Sequence, residues 1–474
     1  MTLISRRLFL GSAPCAALWS SASPAWAQSS ATFTPEQFGA RGDGVSDDSD
    51  AFAALAARVN AVGGGEIQLR RTVYRVGRQG RPARPGSDYS FEPVPILQIR
   101  GCTRPVVIRG NGAVLRCGPG MRFGTFDRLS GRPVHRSLPN YRRGELATPY
   151  LAMIRIEGCS GPVEISDLEL DGNVGQWLIG GPFGDVGRQI HAYGLALYNN
   201  RGSERIARVY SHHHGLDGLL IDGFDGPRPV GSLIEQSRFE YNGRQGCSLV
   251  GGRGYDFRDC RFAHTGKSKV SSPPGAGVDI EAEGGKRVRN LSFVNCAFVD
   301  NSGPGLIADS GDSEGASFAG CSFIGTTSWS AWPNRPGFRF SGCNFVGALS
   351  NAFGHADPGR AARFEDCVFK DDPALSPTGQ VYGGENRSRP IADLSTSRNV
   401  RFDRCRFELT RDSVLPWSTA AIYGDCQMRQ TSALPSYPRG TYEGRTVIAG
   451  PAQLGGSTIR GEVILNGRLL RGRI

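Results

Sequence analysis

Apolar and polar positions alternate along the chain in two short registers that recur many times. The first is the phrase Phe-x-x-Cys-x-Phe, written as Phe257-Arg-Asp-Cys260-Arg-Phe262 and again over 293–298, 318–323, 340–345, 364–369 and 402–407. Its cysteines lie 36, 25, 22, 24 and 38 residues apart, about one solenoid coil with occasional insertions. Cys and the second Phe are two residues apart, which puts both on one face of an extended strand. The second register starts on glycine: Gly194-Leu-Ala-Leu-Tyr198, Gly218-Leu-Leu-Ile-Asp222, Gly246-Cys-Ser-Leu-Val250, Gly277-Val-Asp-Ile-Glu281 and Gly305-Leu-Ile-Ala-Asp309. Positions one and three after each glycine are apolar and should face inward; positions two and four should face outward. Short strands divided by Gly, Asn, Asp and Ser turns predict an all-β chain, a parallel β-helix with rungs about 4.8 Å apart.

In that register the six repeated cysteines form a buried column, because free Cys packs as a small hydrophobe. A uniform column does not supply disulfide geometry. No Cys-x-x-Cys pair is present to suggest a thiolate metal site.

Near the N-terminus the period changes. After Phe38-Gly-Ala-Arg-Gly-Asp43-Gly-Val-Ser-Asp47-Asp48-Ser-Asp50, apolar Phe52, Leu55, Ala56, Val59 and Val62 recur at helical spacing, and Gly63-Gly64-Gly65 ends the run. A short helix here would cap the open end of the first coil, as a solenoid requires. Asp43, Asp47, Asp48 and Asp50 would shape the turn and the helix start rather than do chemistry. This run closely resembles the opening of the pectate-lyase-like superfamily, which includes rhamnogalacturonases, polygalacturonases of glycoside hydrolase family 28, and sugar epimerases. The resemblance implies a right-handed parallel β-helix that binds polysaccharide along one sheet. It does not extend to family active-site signatures. Polygalacturonases carry Asn-Thr-Asp, Asp-Asp, Gly-His-Gly and Arg-Ile-Lys on successive coils. Here Asp371-Asp372 runs into Pro373, Gly354-His355 falls in a connecting loop, and the Asp-Pro-His of mannuronan epimerases is missing.

Residues 1–27 read as a twin-arginine signal peptide, with Arg6-Arg7, an apolar run and Ala25-Trp26-Ala27. Cys15 lies inside that run, which argues against a lipid anchor, and the run is too short to span a membrane. Residues 28–474 then form a single β-helix domain: 28–80 as capping module, 81–430 as coils and 431–474 as a last coil or cap. Export by this route delivers a folded protein to the periplasm or beyond and fits reduced cysteines. The full chain carries a net charge of +11, and removing Arg6 and Arg7 with no acid leaves +9. A basic exported protein favours anionic partners, whether acidic polysaccharide, lipopolysaccharide or a membrane surface, though charge scattered for solubility would read the same. No nucleic-acid motif is present, and oligomeric state is not legible.

The outward positions of the Gly-led strands gather Asp222, Asp279, Glu281 and Asp309, with Asp217 just ahead of its strand. Asp279 and Glu281 are about 6.6 Å apart along one strand, and Glu281 and Asp309 would stand about 4.8 Å apart on adjacent rungs. Such separations suit the acid and the base or nucleophile of a glycosidase. Asp279 and Glu281 are therefore the expected catalytic pair, assisted by Asp222 or Asp309.

Aligning turns on the preceding aromatic places His212, Tyr241, His264 and Asp300 level with one another. It also places His213, Asn242 and Asn301 in an internal stack. His212, His264, Tyr241 and Asp217 are expected to bind substrate. Lys267 and Lys269, in an insertion overhanging Asp279, could neutralise a uronate carboxylate. Trp177, Trp329, Trp332 and Phe338 offer stacking surfaces for sugar rings. No cofactor is required; Ca²⁺ is the ion that grouped carboxylates would accept. Hydrolysis of a uronate-containing polysaccharide is the first expectation. A β-eliminating lyase with a His or Lys base is the second. A non-catalytic polysaccharide-binding or envelope protein is the third.

Overall fold

The computed structural model describes residues 31–135, 142–182, 187–227, 230–385 and 387–474. The signal-peptide reading of residues 1–27 lies outside the described residues. The chain is a right-handed parallel β-helix, and its coils stack through parallel ladders into three sheets. Sheet 1 carries the Gly-led strands, including Tyr193–Tyr198, Asp217–Asp222, Ala276–Ile280 and Leu306–Ala308. One inward column on it runs Leu97, Ile154, Leu195, Leu219, Cys247, Val278, Leu306, each paired with the next. The predicted inward phase is thus observed.

Sheets 2 and 3 carry the two halves of the Phe-x-x-Cys-x-Phe phrase. Sheet 2 stacks Phe257, Phe293, Phe318, Phe340, Phe364 and Phe402, with ring centroids 4.5–5.0 Å apart. Sheet 3 stacks Phe262, Phe298, Phe323, Phe345, Phe369 and Phe407 at 4.5–5.4 Å. The phrase is a corner. The first Phe faces in, and the residue before Cys takes a left-handed conformation (Asp259 φ 53°, Asn295 φ 53°, Asp366 φ 54°) that turns the chain. Cys then faces in again, and its thiol donates to the carbonyl of the first Phe one coil back, as Cys321 Sγ does to Phe293 O at 3.4 Å. All cysteines of the described residues are buried and free. Each fully buried Phe contributes about 1.5–3 kcal/mol by removal from water.

Why glycine leads the sheet 1 strands is also clear. A Cβ on Gly218 would meet Asn242 Nδ2 at 2.4 Å, and one on Gly277 would meet Asn301 Nδ2 at 2.8 Å. The internal turn side chains lie directly over these backbones, so a side chain there is excluded.

The predicted helix, α1 (Ser49–Val62), buries Phe52, Leu55, Ala56 and Val59 against the first coil. Its acids act locally. Asp48 accepts the N–H groups of Arg41 (2.7 Å) and Gly42 (3.2 Å), and Asp47 accepts that of Ser49 (3.0 Å). Coil insertions build a separate five-stranded sheet from Gln79–Gly80, Tyr89–Pro93, Arg122–Thr125, Leu146–Ala147 and Leu178–Ile179. At the other end Thr458–Leu465 adds in parallel to the stack and then pairs antiparallel with Arg468–Arg473. Among the described residues no helix is long and apolar enough to cross a membrane.

Candidate functional site

Parallel pairing on sheet 1 lines up one outward column: Ala196, Leu220, Ser248, Asp279, Ile307, Trp332. It is not a solvated polar face, since Asp279 is only 4% exposed and Asp217 fully covered. Gln245 Nε2 donates to the Asp279 carboxylate. Burial, then the neighbouring acids Glu281, Asp217 and Asp309, push the Asp279 pKa well above the ordinary carboxylate value, against the pull of Arg244. Asp279 thus lies among other carboxylates, with its proton affinity raised by burial and by their charge.

Asp217 occupies the strand-leading position level with Gln245 on the next rung. Ser248 Oγ donates to its Oδ2 at 3.0 Å, and Arg244 Nη1 lies 3.8 Å away. Burial raises its pKa to about 6, with Arg244 opposing. Glu283 is raised by burial and by Glu281, and Tyr193 by burial and by Asp217. Asp217 Oδ1, Arg244 Nε and Gln245 Oε1 are buried without a protein partner, a condition that favours a polar ligand group or ordered water. A Ca²⁺ shell needs several ionised oxygens. Here the Arg244 guanidinium already attends Asp217, and Gln245 donates to Asp279.

Because folding lifts the Asp217 pKa from 3.8 to about 6, the folded chain keeps a proton that the unfolded chain releases. Stability from this group is full below pH about 4 and is lost as pH rises through about 6. At about 1.4 kcal/mol per unit this amounts to roughly 3 kcal/mol. Asp217→Asn is expected to flatten the fall in melting temperature across that interval. An unchanged slope in calorimetry would assign the titration to another group.

Other expected site residues fall differently. Glu281 accepts from Ser310 Oγ at 2.5 Å, and the backbone carbonyl of Asp309 takes Arg335. Asp222 leaves the register: Ile221 pairs with Leu249, but Asp222 pairs with Gly251, and its carboxylate goes to Lys286. His212 is not level with Tyr241 and His264. It pairs with Glu240, while His213, Tyr241, His264 and Asp300 form the turn column, all with φ of 53–56°. His214, not His213, takes the internal place, where its N–H donates to Asn242 Oδ1 at 3.1 Å. The cause is Tyr210, which faces out beneath the Arg238 guanidinium, whereas Phe239 and Phe262 face in; Ser211 is their true counterpart.

His264 and Lys267 both bind Asp300, at 3.0 and 3.3 Å. Tyr241 is stacked between His213 (5.1 Å) and His264 (4.6 Å). Lys269 does not overhang the acids: its Nζ is fixed to the carbonyls of Trp177 (2.6 Å) and Gly175 (3.2 Å). Trp177 and Phe338 are core residues. Trp332 is different, standing on the Asp279 column two rungs along, roughly 9.6 Å away. It packs with Trp329, whose ring in turn meets Tyr382. A cavity of about 300 Å³ lined by Trp329, Asn351, Glu385 and Asp393 continues there. Sequence reading missed Tyr193, Arg244, Gln245 and Ser248. The position just ahead of each leading glycine was the signal that could have found Gln245 alongside Asp217.

No family model matches the chain. Over 237 residues it is 27% identical to the mannuronan C5-epimerase AlgE6 of Azotobacter vinelandii, a stretch amounting to 46% of this chain. The match spans 23% of that curated relative, about a quarter of its length. Among solved structures, the AlgE6 A-module of A. vinelandii aligns at TM-score 0.44 and 17% identity, covering 91% of this chain and 99% of that one. The tailspike protein gp49 of Acinetobacter baumannii bacteriophage Fri1, a capsular polysaccharide depolymerase, aligns at TM-score 0.43 and 13% identity, covering 89% and 63%. At the level of fold, the pectate-lyase-like resemblance read from the N-terminal run holds: the chain is a right-handed parallel β-helix.

Proposed function

We propose that the outward face of sheet 1 is the working face of an exported enzyme that hydrolyses an acidic, uronate-containing polysaccharide. Asp279 gives its proton to the glycosidic oxygen. Glu281, two residues on, acts as base or nucleophile, with Asp309 nearby. Arg244 receives a uronate carboxylate, and Trp332 carries a sugar ring further along the axis. What supports this reading is a buried carboxyl, Asp279, held by Gln245 with its pKa pushed upward by burial and by neighbouring acids, the kind of environment that separates acid from base in a glycosidase. The partial likeness to a mannuronan epimerase supports an acidic substrate.

A second reading, β-elimination or C5 epimerisation, draws on that same relative and on Tyr193 and Arg244 beside Asp217. Both reactions begin by removing the C5 proton of a uronate. The protein incubated with a panel of polyuronates distinguishes the readings. Hydrolysis yields new reducing ends without ultraviolet absorbance. Absorbance from unsaturated ends, or C5 inversion in proton NMR, would replace hydrolysis with the second reading. Binding without any product would leave a polysaccharide-binding protein.

A further inference from the structure

We infer that Asp171, His212 and His213 form a binding site for a divalent transition-metal ion of the zinc class, on the outer edge of sheet 3. Asp171 and His212 end the strands Val163–Asp171 and Glu204–His212 and pair directly on adjacent rungs. The next residue on a regular strand would point to the opposite face. His213 does not, because its left-handed φ of 55° swings the ring back beside His212. A non-glycine residue in that region is uncommon. Here it is what brings two imidazoles and a carboxylate together.

Their donor atoms converge. His212 Nδ1 lies 2.7 Å from His213 Nδ1 and 3.8 Å from Asp171 Oδ1, and the three lie within 4.8 Å of one another. Ligand atoms about 2.0–2.2 Å from one tetrahedral ion stand roughly 3.3 Å apart. The two His212 distances bracket that spacing, and side-chain rotation of His213 and Asp171 would close the third. Two imidazoles with one carboxylate suit zinc-class ions, whereas Ca²⁺ prefers oxygen alone.

Support comes from behind. His212 Nε2 faces Glu169 Oε1 at 3.3 Å, so a carboxylate holds the proton on the rear nitrogen and leaves Nδ1 as the lone pair. Asp171 Oδ2 takes Arg116 Nε at 2.7 Å, and Oδ1 takes the Asn173 N–H at 2.8 Å while facing the histidines. The His212 ring stacks on Tyr210 at 4.0 Å and the His213 ring on Tyr241 at 5.1 Å. Both rings are thus clamped before an ion arrives. The ion clips two rungs just where the chain leaves sheet 3 for the strand led by Asp217. Its binding does not depend on which reaction the acids of sheet 1 perform.

The test uses the untagged, full-length protein stripped with chelator. Zn²⁺ is titrated by calorimetry, and Co²⁺ by the visible bands that imidazole ligation produces. One ion per chain is expected. His213→Gln should weaken binding by roughly 100-fold and Glu169→Gln by roughly 10-fold, the scale of ligand and supporting-carboxylate losses. His264→Gln should leave it unchanged. Should His213→Gln misfold, judged by metal-free circular dichroism, Glu169→Gln carries the test. No saturable Zn²⁺ binding in the parent, or binding unaffected by both His213→Gln and Glu169→Gln, would overturn the site.

Discussion

Asp279→Asn is expected to lower the rate on whichever polyuronate the parent cleaves by ~10²–10⁴-fold, the range of a lost general acid. Folding should survive it. The amide matches the carboxyl group in shape and still offers an oxygen to Gln245 Nε2. It also removes an ionisable group crowded by Glu281, Asp217 and Asp309. The melting temperature should hold or rise while activity collapses, a combination that separates chemistry from packing. Glu281→Gln should likewise abolish turnover, while its amide oxygen can still accept from the Ser310 hydroxyl and keep the fold. Initial rates and calorimetry on the two variants decide the matter. Activity within tenfold of the parent in both would remove this pair from the mechanism.

Phe318→Ala should cost about 3–5 kcal/mol, the usual loss for emptying a buried phenyl site. Phe318 is 1% exposed, and its ring lies between those of Phe293 (4.8 Å) and Phe340 (4.7 Å) on the same sheet. It also meets Phe298 and Phe323 edge-on across the corner. Neither neighbour can close the gap without leaving its own column, so the cavity persists. In a solenoid each coil touches only the next, so the damage should divide the stack rather than lower its stability evenly. Urea unfolding is expected to shift to lower midpoint and broaden, with early proteolysis near this coil. A loss under about 1 kcal/mol would mean that the coils repack more freely than the ladder implies.

The architecture was legible because it repeats. Phe-x-x-Cys-x-Phe and the Gly-led pentads each encode a phase, and repeated phase survives insertions of ten or more residues. A seventh corner, Tyr423-Gly-Asp-Cys426-Gln-Met428, does not match the phrase because Tyr and Met stand at its two Phe positions. The candidate site was legible only where it followed that phase, as at Asp279. Asp222 slipped out because Val250 bulges from the ladder, a local event with no sequence mark. The histidines were misaligned by one residue because aromatic identity does not reveal facing: Tyr210 points out where Phe239 points in. Arg244 and Ser248 meet Asp217 from a strand about thirty residues away, and only the register makes them neighbours.

The buried cysteine column has a further consequence. Eleven reduced thiols lie inside the described residues, several per end of the stack, each tied to a carbonyl of the coil before it or lodged in the core. A thiol reagent reaches such a sulfur only when its coil opens, and a stack held by nearest-neighbour contacts frays from its ends. The chain thus carries its own graduated scale: the order in which native cysteines become alkylated records, rung by rung, how far the helix has come apart.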